Sequence, residues 1–545
     1  MRSLEIPLGK RTLKYRLFEM LPAAISYGSF VLLIILSLIS SVIASIYLII
    51  IIVSLLIKSF GIAFRTIQGR NWMEAAKKVD WHSRLMDLQD PKDSISKLSK
   101  NIKSFGYKAH KKNLEILSAN PNKFPKPSEI YNAIIIATYN ESYDVLQPTI
   151  QSILDSSFDK NKIILIIAYE QRGGEAIKNT VTRLKTEFQD KFFALQLVEH
   201  PKDLPNEIIG KGGNITHAGR FLEKWLSDQD IKPKNVIVTT LDSDNRPYSS
   251  YFDYVTYEYI VREDRKRLSY QPVALFLGNI WDAPAPMRVI ATGNSFWNII
   301  SSMRPHTLRN FASHSQPMDA LEEMDFWSTR TIVEDGHQYW RSYFYFKGHY
   351  SVVPIHVPIY QDAVLSDTYF KTLKAQFIQL RRWAYGASDV PYVGVRVFDK
   401  KREVPFFSGI THFVRLIEGH VTLASLSILV AFGAWVPLLI NGESARSIAA
   451  NQLPDVVSVI QQIALLGLFV VIFVSMKMLP PRPEHYKRRR TVLMVAQWIL
   501  MPLTAIIYGA ISALYSQGRL FIGNYLDKFD VTDKATYKST TNAKK

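Results

Sequence analysis

Uncharged segments limit what this chain can fold into more than any other feature. A run of 37 residues without a charge extends from Leu21 to Ile57, and as a helix it would be roughly 55 Å long against a hydrocarbon core of about 30 Å. The run is too long for one membrane span, whereas two spans that turn near Ser40 fit. Lys and Arg residues lie on both sides of the run, which predicts that both flanks are cytoplasmic. A cleaved signal peptide is not expected, because its apolar core would be much shorter.

Three further uncharged runs lie near the end of the sequence, at 421–440, 456–476 and 491–518. Each is long enough to cross a bilayer. The basic stretch YKRRR, which ends at Arg490, separates the last two runs and predicts a cytoplasmic loop, whereas the loop after Ile440 is expected outside. These runs predict a multi-pass protein of the cell (plasma or inner) membrane rather than a soluble protein with buried core helices.

The part between the two sets of apolar runs has the composition of a water-soluble domain. Residues 65–130 are mixed in charge and prone to form helices. After them, helical patterns alternate with four β-branched runs, NAIIIAT, KIILIIAY, FALQLVE and NVIVTTL. This alternation predicts βαβ units and a mainly parallel sheet, in which ligands bind at the carboxyl ends of the strands.

Polar motifs stand where these strands are expected to end: TYNES, YEQRGG and LDSDNRP. The stretch GKGGN opens a helical pattern, so Lys211 and backbone N–H groups could bind a phosphate. Asp242 and Asp244 end an apolar strand, and such paired carboxylates repel one another unless a cation lies between them. They predict a Mg²⁺ or Mn²⁺ site, although an aspartate before Pro247 could simply cap a turn.

The motifs TYNES, KGGN, LDSD, VEDGHQYWR and QLRRW, in this order and followed by apolar runs, resemble the family 2 glycosyltransferases. The resemblance is to membrane polysaccharide synthases such as cellulose and hyaluronan synthases. It implies a cytoplasmic α/β catalytic domain of the GT-A (Rossmann-like) type combined with an α-helical transmembrane domain. The implied activity is that of an inverting hexosyltransferase, which uses a UDP-sugar to extend and export a β-linked polysaccharide.

On this basis the chain divides into six parts. They are a basic cytoplasmic arm (1–20), a transmembrane hairpin (21–64), a helical cytoplasmic linker (65–130), a GT-A domain with an interfacial helix near 370–390 (131–403), membrane segments (404–518) and a tail (519–545). The tail contains FDVTDK, which resembles a gating loop that closes over the nucleotide and must therefore be cytoplasmic. Three crossings after a cytoplasmic domain would leave the tail outside. Either the run 491–518 enters the membrane and returns, or there is an additional crossing between Phe406 and His420.

Sugar transfer from a nucleotide diphosphate needs stabilisation of the departing diphosphate, a base and an oriented acceptor. By resemblance, Asp335 is the base and Glu334 shapes the site, although an aspartate here could merely cap a helix. Asp244 would hold the metal, while Asp242 would contact both metal and nucleotide. The other predicted nucleotide contacts are Thr138, Tyr139, Glu141, Glu170, Lys211, Arg382 and Thr532.

Gln379 and Trp383 are the predicted acceptor-binding residues, and with Arg382 they share one helix face. A plain amphipathic helix at the membrane surface would show the same pattern. The sequence departs from the family at two positions. Val333 stands where the family often has threonine, and Glu170 stands where many relatives have aspartate, so the preference for uridine stays open.

The expected partners are a nucleotide-sugar donor, a growing polysaccharide or other glycan acceptor, and the lipid bilayer; an accessory export subunit would be compatible. The net charge of +18 fits loops that meet anionic lipid, and no nucleic-acid-binding module is recognisable. Two other functions stay open: a membrane enzyme that adds one sugar to a lipid carrier or short acceptor, and a non-catalytic membrane subunit that binds polysaccharide.

Overall fold

The computed structural model describes residues 4–98, 104–442 and 448–526. It contains an α/β domain built on an eight-stranded mixed sheet, together with long apolar helices. The predicted fold class, an α/β domain combined with a helical domain able to span a membrane, is confirmed.

The sheet has the spatial order β3-β2-β1-β4-β7-β6-β8-β5. Its strands are β1 (Tyr131–Thr138), β2 (Ile163–Glu170), β3 (Ala194–His200), β4 (Val236–Asp242), β5 (Arg246–Pro247), β6 (Leu268–Leu275), β7 (Ser315–Pro317) and β8 (Ser351–Tyr360). The four β-branched runs of the sequence form β1 to β4, which pair in parallel. β6 and β8 also pair in parallel, while β7 is antiparallel to both β4 and β6.

The helices account for most of the remaining chain. They are α1 (Leu13–Ile39), α2 (Ser41–Lys77), α3 (Trp81–Asp87), α4 (Pro91–Lys97), α5 (Tyr107–Ala119), α6 (Tyr143–Leu154), α7 (Gly174–Phe188), α8 (Lys211–Asp228), α9 (Tyr251–Val261), α10 (Ala285–Ser302), α11 (Met318–Glu323), α12 (Glu334–Tyr345), α13 (Tyr369–Ala384), α14 (Asp389–Val397), α15 (Phe406–Phe432), α16 (Val436–Ile440), α17 (Ile448–Met478), α18 (Arg489–Ala496), α19 (Met501–Thr504) and α20 (Ser512–Ile522).

The core of the α/β domain forms because side chains of each central strand alternate between the two faces of the sheet. Ile134 and Ile136 pack on one face against α6, α7 and α9. Ala133 and Ile135 pack on the other face against α8 and α11. Both faces of the parallel strands are covered, which explains why these strands read as continuous apolar runs.

Five helices in the described part of the chain are long and apolar enough to cross a membrane. They are Leu13–Ile39, Ser41–Lys77, Phe406–Ile440, Asn451–Met478 and Arg489–Ile522. The break between the first two falls at Ser40, which has an extended backbone. The stretch 406–420 is the first half of α15 and forms no separate crossing.

The last apolar segment, Arg489–Ile522, contacts the α/β domain at its start and α1 at its end. At its start, the Arg490 guanidinium donates to the Trp281 carbonyl oxygen at 2.7 Å. At its end, Arg16, near the start of α1, donates to the Leu520 carbonyl oxygen at 2.9 Å. The arm that precedes α1 contacts the α/β domain through Glu5. The path of this segment through a membrane stays a prediction, and FDVTDK itself lies outside the described residues.

Candidate active site

A cavity of about 660 Å³ lies at the carboxyl ends of β1, β2 and β4. Thr138, Glu170 and Asp242 line it from these strand ends, as expected for a ligand site on a parallel sheet. The same cavity continues past Trp383 of α13 to His420 of α15. It therefore connects the edge of the sheet with a helix of the membrane-spanning type.

Lys211 joins the two sides of this cavity. It is the first residue of α8, and its Nζ lies 2.9 Å from Asp242 Oδ1 and 3.0 Å from Asp335 Oδ2. Burial opposes the charged form, but the carboxylates of Asp242 and Asp335 outweigh it and raise the pKa of Lys211. The ammonium is therefore a fixed positive charge between two carboxylates.

The carboxylates of α12 stand at its N-terminus, where the helix dipole favours negative charge. Glu334 is buried, and burial together with the Asp335 charge raises its pKa well above the ordinary value, while Lys211 and Arg382 act in the opposite direction. Asp335 is more exposed, and its Oδ1 lies 3.8 Å from Nδ1 of His314. Two neighbouring acids thus have different environments, and the raised pKa of Glu334 favours its neutral form.

His314 is a buried neutral imidazole beside Asp335. Its Nδ1 lies 2.9 Å from the Phe311 carbonyl oxygen, and the Trp327 indole N–H donates to its Nε2 at 3.3 Å. The indole can only donate, so Nε2 is the acceptor and Nδ1 carries the proton. Burial also lowers the pKa of His314, so this residue adds no charge next to Asp335.

Asp242 and Asp244 both line the cavity, and their chemistry fits a hard divalent cation. Asp244 is buried and accepts the backbone N–H of Asp362 at 3.2 Å. Among the residues that the structure describes, no group of three or more His, Asp or Glu side chains is arranged to hold a metal. Mg²⁺ commonly uses only one or two carboxylates and takes its other ligands from water and substrate phosphates. The pair therefore suits a metal that binds together with a diphosphate.

Where the cavity meets the ends of β1 and β2, neighbouring groups hold two carboxylates that were predicted to bind the nucleotide. Glu141 accepts from the Thr138 hydroxyl at 2.6 Å and from the Tyr139 backbone N–H at 2.7 Å, so it fixes the loop after β1. Glu170 accepts from Arg172 at 2.8 Å and lies 3.1 Å from His200 Nδ1. Glu170 is thus part of a charged network rather than an isolated carboxylate.

His200 extends this network to Glu207, 3.1 Å from its Nε2. Burial lowers the pKa of His200, but hydrogen bonds to Glu170 and Glu207 outweigh burial and raise it to about 9. Arg172 and His200 were not predicted as site residues. Arg172 belongs to the motif YEQRGG, whereas the only sequence signal of His200 is its position at the end of β3.

Helix α13 forms the side of the cavity nearer the helices that are able to span a membrane. Gln379, Arg382 and Trp383 all line it, as their spacing predicted. The Trp383 side chain is 36% exposed, and its ring centroid lies 5.9 Å from that of Phe276. Arg382 acts electrostatically on Glu334. This face of α13 therefore places an amide, a guanidinium and an indole in the same cavity.

The structure brings every described residue of the predicted site into this single cavity. These are Thr138, Tyr139, Glu141, Glu170, Lys211, Asp242, Asp244, Glu334, Asp335, Gln379, Arg382 and Trp383. Thr532 lies outside the described residues. Sequence reasoning missed further lining residues, which include Asn294, Trp297, Asn298, Arg309, Trp340, Asp389 and His420.

The fold and the site define an α/β domain that has an acidic and basic cavity at its strand ends and that is joined to helices able to span a membrane. No family model matches the chain, and no curated protein matches it. Among solved structures, it is similar to the mannosyltransferase PcManGT from Pyrobaculum calidifontis in complex with GDP-Man and Mn²⁺, with 15% identity over 83% of this chain and 99% of that chain and a TM-score of 0.40.

It is also similar to S. aureus TarS residues 1–349 in complex with UDP-GlcNAc, with 12% identity over 73% of this chain and 93% of that chain and a TM-score of 0.33. A third similar structure is GalNAc-T7 with UDP, GalNAc and Mn²⁺, with 10% identity over 53% of this chain and 56% of that chain and a TM-score of 0.30. At these identities and TM-scores, the similarity defines neither a family nor a function for this chain.

Proposed function

We propose that this chain is a membrane glycosyltransferase, which transfers a sugar from a nucleotide-diphosphate donor to a glycan acceptor. The observation that carries the proposal is the position of Lys211. Its ammonium lies within 3.0 Å of both Asp242, at a strand end suited to a nucleotide, and Asp335, at the start of α12. A phosphate-binding cation and a base for a hydroxyl therefore share one cavity.

The donor would bind with its diphosphate near Lys211 and Asp242. Mg²⁺ or Mn²⁺ held by Asp242 and Asp244 would neutralise charge on the departing diphosphate. Lys211 offers a second positive charge, and Arg382 offers a guanidinium that can bind phosphate oxygens in a bidentate manner. The ends of β1 and β2, with Tyr139 and Arg172, would contact the base and ribose.

Asp335 is the proposed general base. It would take the proton of the acceptor hydroxyl while that oxygen bonds to the anomeric carbon and the bond to the diphosphate breaks. Attack on the face opposite the leaving group would invert the anomeric configuration, giving a β-linked product from an α-linked donor. Asp335 Oδ1 has no hydrogen-bond partner among the described residues, so it can accept this proton.

The length of the product distinguishes the two enzymatic possibilities. We favour processive synthesis of a polysaccharide coupled to export, because the cavity continues from Asp335 to Leu416 and His420 of α15. Transfer of one sugar to a lipid carrier would use the same donor site. Sizing the radiolabelled product separates them, since a single added sugar would exclude processive synthesis.

The test of the proposed function is nucleotide diphosphate release. The purified membrane protein would be incubated with a panel of UDP- and GDP-sugars, with and without Mg²⁺ or Mn²⁺, beside the Asp335→Asn variant. We expect metal-dependent release from at least one donor by the wild-type protein. Absence of release with every donor would refute the proposal, and equal release by both proteins would refute Asp335 as the base.

A further inference from the structure

One wall of the cavity has no role in the mechanism above. Asn294, Trp297 and Asn298 of α10 line the cavity, and their i, i+3, i+4 spacing places them on one helix face. Trp297 is 58% exposed, whereas Phe296 and Ile299 on the opposite face are buried. A large indole that faces a cavity leaves apolar surface in water unless a ligand covers it.

The groups around Trp297 are those that bind a sugar ring. The indole face is a flat apolar surface, and the two amides offer both donors and acceptors. Asn298 Nδ2 donates to the Asn294 backbone carbonyl oxygen at 2.9 Å. This hydrogen bond fixes the Asn298 side chain, and Asn298 Oδ1 takes no part in it.

Phe276 connects α10 with Trp383, which lines another part of the cavity. The backbone N–H of Phe276 donates to Ser295 Oγ on α10 at 2.9 Å, and the Phe276 ring contacts Trp383 on α13. Two exposed indoles, Trp297 and Trp383, therefore stand on different helices around one cavity. Each can stack against a different sugar unit.

We propose that Asn294, Trp297 and Asn298 form a subsite for a second sugar unit of the acceptor, so that the acceptor is a glycan of at least two units. The inference rests on the proposed function, since it extends the same cavity. It assigns stacking to Trp297 and hydroxyl recognition to the two amides. A lipid-anchored single sugar would leave this subsite empty.

The experiment measures oligosaccharide binding directly and needs no turnover. Mannohexaose, cellohexaose and chitohexaose, with the matching monosaccharides, would be tested by saturation-transfer NMR on the detergent-solubilised full chain. At least one hexasaccharide should bind wild-type protein, and Trp297→Ala should weaken it about tenfold, as expected for loss of an aromatic anchor. Trp297→Phe should retain most of the binding.

Trp435→Ala is the matched control, because Trp435 is 54% exposed and does not line the cavity. If Trp297 served only as an anchor at the membrane interface, both alanine variants would bind the hexasaccharide like wild type, and the subsite would be refuted. Absence of binding by all three hexasaccharides would also refute it. Binding of UDP or GDP, measured in parallel, reports on the donor site alone and separates failure of the subsite from failure of the proposed function.

Discussion

Replacement of Asp335 by asparagine tests the central chemical step. The amide keeps the shape of the side chain but cannot take a proton from the acceptor. General-base catalysis contributes about 10²- to 10⁴-fold, so the barrier should rise by about 3 to 5.5 kcal/mol. Diphosphate release in a coupled assay, at saturating donor and metal, should fall by that factor.

Donor binding should survive this change. Lys211 would lose its ionic contact with Asp335 at 3.0 Å but would keep the contact with Asp242 at 2.9 Å. The two attractions are similar because Coulomb energy scales with inverse distance, so the ammonium is still paired. Calorimetric titration with UDP or GDP in the presence of Mn²⁺ should therefore give a Kd within about threefold of wild type, a difference of less than 1 kcal/mol.

Glu334→Gln is the matched control at the adjacent position. Burial and the Asp335 charge favour the neutral form of Glu334, and glutamine is close to that form in shape and charge. Turnover should change less than about tenfold, well short of the loss expected for Asp335→Asn. If Asp335→Asn kept full turnover, or if Glu334→Gln lost as much as Asp335→Asn, the assignment of the base to Asp335 would be wrong.

Three further predictions concern packing, pH and metal. A Cβ on Gly212 would overlap the Ser328 carbonyl oxygen, so Gly212→Ala should displace the start of α8 and lower the melting temperature, whereas Gly336→Ala has open space and should not. The pKa of His200 is raised to about 9, so the contribution of the charged imidazole to stability is complete below pH 6.5 and is lost as the pH rises through 9. Melting temperatures measured across this pH range should fall in wild type and not in His200→Asn. Asp244→Asn should raise the Mn²⁺ concentration needed for half-maximal diphosphate release about tenfold, and activity unaffected by EDTA in wild type would contradict a metal at Asp244.

The sequence predicted those parts of the fold that have a local signal. β1 to β4 are continuous β-branched runs, and α8 begins at the lysine of its glycine-rich motif. β6 and β8 were not predicted. β6 contains Pro272, and β8 contains Pro354 and Pro358. Proline within a run normally argues against a paired strand, because it has no backbone N–H to donate. Their parallel pairing tolerates these prolines through a register shift after Pro272, which no single-strand pattern reveals.

For the candidate site, the rule that ligands bind at strand ends predicted that these residues lie at one edge of the sheet, and the structure brings them into one cavity. Contacts between residues distant in sequence could not be predicted. The contact of Lys211 with Asp335 joins residues 124 positions apart. Trp297 carries no motif, and its exposure depends on how α10 packs in the tertiary structure. His200 lies beside Glu170 because β3 pairs with β2, and the sequence does not show this pairing.

Under the proposed function, the position of Lys211 would also set an order of events. One ammonium neutralises carboxylates on both halves of the reaction, so an incoming diphosphate that attracts Lys211 takes positive charge away from Asp335. An aspartate with less compensating charge is a stronger base. By thermodynamic reciprocity, an acceptor that engages Asp335 must in turn alter affinity for the donor. Under the proposed function, Asp335 would thus be the stronger base only once the donor has arrived.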